Sequence, residues 1–259
     1  MRRSVTVATL LLLSVVPVSL LAQQSAQTAP APTRDPQAVA ILHQALASMG
    51  ETAKTGTQDI QVTGKVFNPG DTTTQRGVFT AKLRGLDFTM DMTRDGVRST
   101  YSVLGNHGFI RRDGKVKPLP SFNTAGLSLD ILPIFARWSE FTRDNTEVQA
   151  VTTAQIDGRA CYVIHVDVQS PGNMNQHGKI EVSVDQATLL ILAIRYRASE
   201  SAFANGKLAV ENHYANYQNF GGLMLPTRVT RSLNGQPTVV LQIEAAQTNN
   251  GFKDSDFSN

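Results

Sequence analysis

Five two-residue turn signals divide the sequence and constrain its fold more than any other feature. Such pairs supply the positive φ angles that tight β-hairpins need. Most of them lie between runs in which apolar and polar residues alternate, and this spacing predicts an antiparallel meander rather than βαβ units. The pairs are Asp-Gly at 95–96, 113–114 and 157–158, and Asn-Gly at 205–206 and 234–235.

A single amphipathic helix is predicted ahead of the meander. Asp35 and Pro36 indicate its start, as N-cap and first helical residue, and Gly50 indicates its end. The apolar residues between these ends recur at helical spacing and form one stripe. They are Val39, Leu42, Leu46 and Met49.

Residues 123–141, NTAGLSLDILPIFARWSEF, interrupt the meander with apolar residues at nearly helical spacing. Pro133 would kink or divide a helix there, so we predict one or two short apolar helical turns. A long antiparallel sheet twists and curls, and a curved sheet leaves a concave side to be covered. The fold class predicted is therefore mainly β (α+β), a curved antiparallel half-barrel of about ten or eleven strands. The N-terminal helix and an inserted apolar lid helix cover its concave face.

The first residues have the pattern of a secretory signal peptide. Arg2 and Arg3 precede an apolar run over 5–21, and Ala22 and a polar segment follow. We predict export to the periplasm with cleavage after about Ala22. An uncleaved membrane anchor is the alternative, because the run is about as long as the shortest spanning helices. The predicted organisation is a signal peptide at 1–22, a flexible leader at 23–34 and a single domain at 35–259.

Composition and motifs exclude several classes of function. The net charge of +3 becomes +1 when Arg2 and Arg3 are subtracted, and gives no nucleic-acid footprint. No nucleophile elbow, phosphate-binding loop or H-E-x-x-H motif occurs. Cys161 and His165 would lie about 13 Å apart along an extended strand, too far to share a metal ion. We therefore predict no enzymatic activity, no catalytic residue, no metal and no cofactor.

The stretch LDFTMDM places Phe88, Met90 and Met92 on one face of a predicted strand. An ordinary core is one interpretation. The other is a cavity lining that adapts to a greasy ligand, because methionine is polarizable and has many rotamers.

The order of elements and several short motifs resemble the LolA/LolB lipoprotein carriers. Arg84 and Phe88 in KLRGLDFTMDM match the family's spacing of an Arg and an aromatic residue four positions on. Asn123-Thr124 before an apolar run resembles the start of the family's lid helices, although Ala125 stands where the family has Pro. KIEVSVDQATLLILAIRY resembles a strand pair of the family, whereas the Trp-rich cavity is not matched, because Trp138 is the only Trp.

This resemblance implies a hydrophobic cavity, a lid and a latch. Arg84 would be the latch, bonding backbone carbonyls of the lid and holding the empty cavity shut. The implied ligand is a lipid or the acyl chains of a lipoprotein, carried by a monomer that contacts an envelope membrane protein and no nucleic acid. The residues that would line the cavity or its lid are Phe88, Met90, Met92, Phe109, Leu132, Ile134, Phe135 and Trp138.

Three functions remain open from the sequence. The first is a periplasmic carrier or sensor of a hydrophobic ligand, which predicts a real cavity. The second is a cell-envelope interaction domain without a small ligand, which predicts a filled core and an exposed apolar patch. The third is a secreted hydrolase with an unrecognised site, which predicts a polar cleft with converging titratable groups.

Overall fold

Fourteen antiparallel strands form one sheet in the computed structural model of the chain. The model describes residues 33–50, 58–105, 107–119, 127–133, 146–149, 151–170, 173–199 and 207–258. The helix α1 spans Pro36–Ser48. The strands are β1 (Asp59–Asn68), β2 (Asp71–Arg84), β3 (Asp87–Arg94), β4 (Val97–Leu104), β5 (His107–Arg112), β6 (Lys115–Leu119), β7 (Glu147–Val148), β8 (Thr152–Ile156), β9 (Arg159–Ser170), β10 (Asn173–Asp185), β11 (Ile191–Ser199), β12 (Lys207–Phe220), β13 (Leu223–Leu233) and β14 (Gln236–Thr248).

The sheet consists of two meanders joined by one long-range pairing. Its strand order is β6-β5-β4-β3-β2-β1-β14-β13-β12-β11-β10-β9-β7, and β8 also pairs with β9. The first strand of the domain therefore lies beside the last, with Ile60 opposite Thr248. The sheet stays open, with β6 at one edge and β7 at the other. The predicted mainly β, antiparallel, half-barrel class is confirmed.

Strand number was underestimated, because fourteen strands replace the predicted ten or eleven. The reason is length: β7 has two residues, and β6 and β8 have five each. Segments this short contain too few residues to display an alternating pattern.

Four of the five predicted tight turns are confirmed by their backbone. At Asp95-Gly96 both residues have positive φ, 51° and 80°, as a two-residue hairpin turn of this kind requires. The pairs at 113–114, 157–158 and 234–235 have the same signs, and the pair at 205–206 lies outside the described residues.

Helix α1 begins and ends where the sequence predicts. The Asp35 carboxylate accepts a 2.8 Å hydrogen bond from the Ala38 N–H, which satisfies one of the free donors of the first turn. Gly50, with φ +86°, follows the helix in a place that only glycine fits, because a Cβ there would lie 2.1 Å from the Gly222 carbonyl oxygen. The helix end is thus held against the β12–β13 turn.

The last two residues of the predicted leader contact the sheet. Arg34 forms a parallel bridge with Val148 in β7, and the Thr33 carbonyl accepts from the Val148 N–H. These backbone bonds attach Thr33 and Arg34 to β7, and the boundary between leader and domain stays a prediction. The predicted signal peptide lies outside the described residues and stays a prediction.

One face of the sheet, called the inner face here, carries the core. It is the face on which α1 packs, and its strand residues form one cluster with the buried side of that helix. The opposite, outer face is mostly polar. No helix within the described ranges is long and apolar enough to cross a bilayer.

Candidate functional site

Phe88, Met90 and Met92 lie together on the inner face of β3, as the alternating pattern predicts. Phe88 is 1 % exposed and Met90 is 7 % exposed, and Met92 is half-buried against the same cluster. Leu83 and Phe79 stand opposite them on β2. Phe88, Met90 and Met92 are therefore assembled on the inner face, three strands from the β6 edge, and their role as a ligand lining stays a prediction.

Phe109 does not belong to this set, which corrects the sequence prediction. Register pairs Phe109 with Ser102, and Ser102 with Thr89, so all three point to the outer face. The Arg111 guanidinium stacks over the Phe109 ring there, 5.8 Å from its centroid. The prediction failed because β5 is short and has an apolar residue on each face, Phe109 on one and Ile110 on the other. Its pattern therefore does not show which face is buried.

The inserted apolar segment is described over 127–133. Ser128–Asp130 form a 3-10 turn, in keeping with the predicted short helical turns. Leu129, Ile131 and Leu132 are buried in the same cluster as the inner face and α1. The predicted lid residues Ile134, Phe135 and Trp138 lie outside the described residues.

Asp130 fixes this segment to the sheet from within the apolar interface. Its carboxylate accepts hydrogen bonds from the Tyr196 hydroxyl (2.7 Å) and the Asn212 amide (3.0 Å). It also forms an ion pair with the Arg231 Nε at 2.9 Å. These partners come from β11, β12 and β13, so one carboxylate bridges three neighbouring strands.

The Leu129 carbonyl adds a second attachment. It accepts a hydrogen bond from the Asn212 amide at 3.2 Å and another from the Tyr214 hydroxyl. Asn212 thus binds both the backbone and the carboxylate of the turn. We call Asp130, Tyr196, Asn212, Tyr214 and Arg231 the Asp130 cluster.

Two partners of Asp130 have raised pKa values, so both keep their protons at neutral pH. The negative charge of Asp130 raises the pKa of Arg231, so the guanidinium keeps its proton. Burial raises the pKa of Tyr196 well above its usual value, and the Asp130 charge adds to the rise, so Tyr196 stays a neutral donor. A charged acceptor among one cation and neutral donors satisfies the desolvation requirement of a buried carboxylate.

The Asp130 cluster was missed at the sequence level. Arg231 and Asn212 occupy inner positions in strands whose polar residues suggested solvent exposure. One signal could have found it: Asp130 is the single charge within the apolar run GLSLDILPIF. A charge in a segment expected to be buried needs a partner of opposite charge.

Arg84, the predicted latch, holds the C-terminal segment in the described structure. Its guanidinium donates to the Phe252 carbonyl (3.0 Å) and pairs with Asp87 and Asp254 at 2.6 Å each. The hydrogen bonds that Arg84 donates to these carboxylates raise the pKa of its guanidinium. The register places Arg84 on the outer face, since Leu83 points inward. A contact of Arg84 with lid residues at 134–138 concerns residues outside the described ranges.

The same C-terminal segment is held by Asp59 at the start of β1. Its carboxylate accepts from the backbone N–H groups of Asn250 (2.6 Å), Gly251 (2.8 Å) and Phe252 (3.2 Å). Burial raises the pKa of Asp59, but hydrogen bonds from Asn250, Phe252 and Gly251 outweigh it and the pKa is lowered. Phe257, which follows, is fully buried.

Within the described part of the chain, no group of three or more His, Cys, Asp or Glu side chains is placed to hold a metal ion. Cys161 is buried, and burial raises the pKa of its thiol, which disfavours the thiolate that binds metals.

Solved structures share this fold at low sequence identity. One from Vibrio parahaemolyticus, provisionally described as an outer membrane lipoprotein-sorting protein domain, has a TM-score of 0.51 and 14% identity over 86% of this chain and 96% of that chain. A DUF1329 family protein from Desulfovibrio piger has a TM-score of 0.50 and 13% identity over 87% of this chain and 98% of that chain. A LolA superfamily protein from Nitrosomonas europaea has a TM-score of 0.48 and 16% identity, covering 84% and 97%.

No protein-family model matches the sequence, and no curated protein matches it. The two matches with TM-scores of 0.50 and above show that the chain shares the fold of a domain described as lipoprotein-sorting and of a DUF1329 family protein. The fold that the sequence motifs suggested is therefore confirmed.

Proposed function

We propose that this protein, with its LolA-like fold, is an exported, non-enzymatic carrier or sensor of a lipid or of acyl chains. The ligand lies on the inner face of the sheet, against Phe88, Met90 and Met92. The inserted apolar segment, predicted over 123–141 and described over 127–133, covers it. The protein works in the periplasm as a monomer and exchanges its ligand with an envelope membrane protein.

The way in which the inserted segment is attached supports this proposal most. Its described part packs apolar side chains on the sheet, and among the described residues the hydrogen bonds and the ion pair that join it to the sheet come from side chains of the Asp130 cluster. Side-chain bonds can break and re-form without disrupting any strand pairing. A cover of this kind can move away from an apolar surface while the sheet stays intact.

The fold supports the same conclusion at a coarser level. One solved structure of this fold is described as a lipoprotein-sorting domain. A protein with such a fold offers one large apolar face and a cover, which suits an acyl chain better than a polar substrate.

Native mass spectrometry followed by lipid extraction tests the proposal. The chain is purified gently from a periplasmic fraction after expression of the full sequence. We expect the mass of a protein chain that begins at Gln23, together with the mass of a bound molecule. Extraction should identify that molecule as a lipid or an acyl chain.

Two variants on one strand make this test specific. Met92→Trp fills space on the inner face and should lower the bound fraction at least several-fold, because a larger side chain takes the volume of the ligand. Thr93→Trp places the same ring on the outer face and should leave the bound fraction unchanged. Circular dichroism establishes that both variants fold.

A protein that carries no lipid, and gains none on incubation with lipids or diacylated peptides, would exclude the carrier. The envelope interaction domain with a filled core would then be the better description.

A further inference from the structure

The inner face changes character towards the β6 edge. Across the rows of paired residues, Met90 stands beside Tyr101, Tyr101 beside Ile110, and Ile110 beside Lys117. Burial decreases in the same order, from 7 % exposure at Met90 through half-buried Tyr101 and Ile110 to exposed Lys117. This edge is the open end of the apolar face.

The open end is basic on its inner side. The next row leads from Met92 through Ser99 to Arg112 and Lys115. With neighbouring strands about 4.8 Å apart, Arg112 lies roughly 10 Å across the sheet from Met92. Arg112, Lys115 and Lys117 are all exposed, and within the described residues none of them forms an ion pair.

The two faces of β3–β6 differ in charge. Inner positions of these four strands carry no carboxylate, whereas Asp87 and Asp91 both lie on the outer face. The outer cations are occupied: Arg98 pairs with Asp91 at 3.3 Å, and Arg111 stacks on Phe109. The nearest acid to the inner cations along the chain is in the β5–β6 turn, at 113.

The pKa of Tyr101 shows that these positive charges act on the inner face beyond the edge strands. Burial raises the pKa of its hydroxyl and the negative charge of Asp130 adds to the rise, whereas the positive charges of Arg112, Arg231 and Arg94 oppose it. Cations on several strands therefore act on one point beside the apolar set. An acyl chain on Met90 and Met92 would have its polar end within reach of them.

We propose that Arg112, Lys115 and Lys117 bind the anionic head group of a single amphiphile whose apolar part lies against Phe88, Met90 and Met92. This rests on the proposed function and narrows its ligand from any hydrophobic molecule to one with an acidic head group. Guanidinium and ammonium groups form charge-assisted hydrogen bonds with phosphate or carboxylate oxygens. The solvent-exposed, unpaired state of these three cations leaves them available for such bonds.

Isothermal titration calorimetry with two short-chain lipids tests the inference on the full chain purified after export. Dioctanoyl phosphatidylglycerol and dioctanoyl phosphatidylcholine have the same chains, and both are used as monomers. We expect the anionic lipid to bind about tenfold more tightly, a difference that falls as salt is added. Glycerol 3-phosphate, which has the anionic group but no chains, should bind far more weakly than either lipid.

Two matched double variants locate the effect. Arg112→Gln with Lys117→Gln removes two charges from the inner face and should abolish the preference, because phosphatidylglycerol affinity falls further than phosphatidylcholine affinity. Arg98→Gln with Arg111→Gln removes two charges from the outer face of the same strands and should retain the preference.

The outcomes separate this inference from the proposed function. Equal affinity for the two lipids, or equal loss of preference in both double variants, would overturn the head-group site and leave the carrier intact. Binding of glycerol 3-phosphate as tight as that of the lipid, or binding to anionic vesicles but not to the monomer, would overturn it too. Failure of both lipids to bind would count against the carrier itself.

Discussion

Arg231 and Arg112 both lie on the inner face of the sheet, yet their surroundings are opposite. The Arg231 side chain is 25% exposed and is paired with Asp130. Hydrogen bonds from side chains of two further strands also hold Asp130 in place. Arg112 is exposed near the sheet edge and forms no ion pair within the described residues. The difference teaches that burial decides the role of a cation on an apolar face. A half-buried cation such as Arg231 has a fixed partner and is structural, whereas an exposed one stays available to a ligand.

The largest effect is expected at Asp130, where a buried carboxylate is paired with a cation and bonded to side chains of two further strands. Asp130→Ala leaves Arg231, Tyr196 and Asn212 without their shared acceptor. We expect the free energy of unfolding to fall by about 3 kcal/mol, since removing one member of a buried pair strands the other. Urea denaturation monitored by circular dichroism measures this.

Asp130→Asn is the informative companion, because it keeps the shape and one acceptor oxygen. We expect it to lose less than Asp130→Ala. A loss below about 1 kcal/mol for Asp130→Ala would mean that the Asp130 cluster does not hold the inserted segment.

A smaller effect is expected at Asp59, where the charge is met by backbone donors instead of a cation. Its lowered pKa means that the folded state favours the carboxylate. The stabilisation is present above the unfolded pKa of about 3.9 and is lost as the pH falls through the lower folded value. Asp59→Asn should therefore lose about 1 kcal/mol at neutral pH.

Denaturation curves at several pH values between neutral and strongly acidic conditions check this prediction. The difference between the wild type and Asp59→Asn should shrink as the pH falls below about 4. A constant difference across the series would show that the charge at Asp59 is not what stabilises the C-terminal segment.

Arg84 should respond less strongly to substitution than Asp130. Its partners Asp87 and Asp254 are 17% and 78% exposed, so water can replace much of what the arginine provides. Arg84→Met should lower the free energy of unfolding by about 1 kcal/mol and release the C-terminal segment. Hydrogen exchange at the Phe252 and Phe257 amides should rise in this variant. Unchanged exchange there would argue that Asp59 alone holds the segment.

The smallest effect on stability is expected at Arg112. Arg112→Gln should change the free energy of unfolding by less than about 0.5 kcal/mol, because an exposed cation without a partner contributes little. Thermal denaturation of the ligand-free protein measures it. A destabilisation comparable to that of Arg84→Met would place Arg112 among the structural cations and would weaken the contrast with Arg231.

Local patterns predicted most of the architecture. The Asp-Gly and Asn-Gly pairs gave the hairpins, Asp35 and Pro36 gave the helix start, and strict alternation gave the inner position of Phe88. Each of these depends on residues close together in the chain. Phe109 was assigned to the wrong face because β5 is too short and too mixed to display its period.

The candidate site was less accessible to sequence reasoning because its polar contacts are long-range. The Asp130 cluster joins a turn in the inserted segment to strands far along the chain, and no local spacing encodes which arginine meets which carboxylate. In the sequence, Arg112, Lys115 and Lys117 were interpreted only as part of a solvated hairpin. Register was needed to show that Arg112 and Lys117 share a face while Arg111 does not.

The pairing of β1 with β14 also governs when this protein can fold. The meanders β2–β6 and β9–β13 consist of neighbouring hairpins, so each can form soon after its own residues are free. The β1–β14 pairing that joins them forms only after the last strand is available, because the partner of Ile60 is Thr248. Closing so long a loop is slow relative to hairpin formation. An unfinished chain therefore retains an unpaired β1 edge until the residues of β14 are available, and an unpaired edge of this kind can pair with another chain.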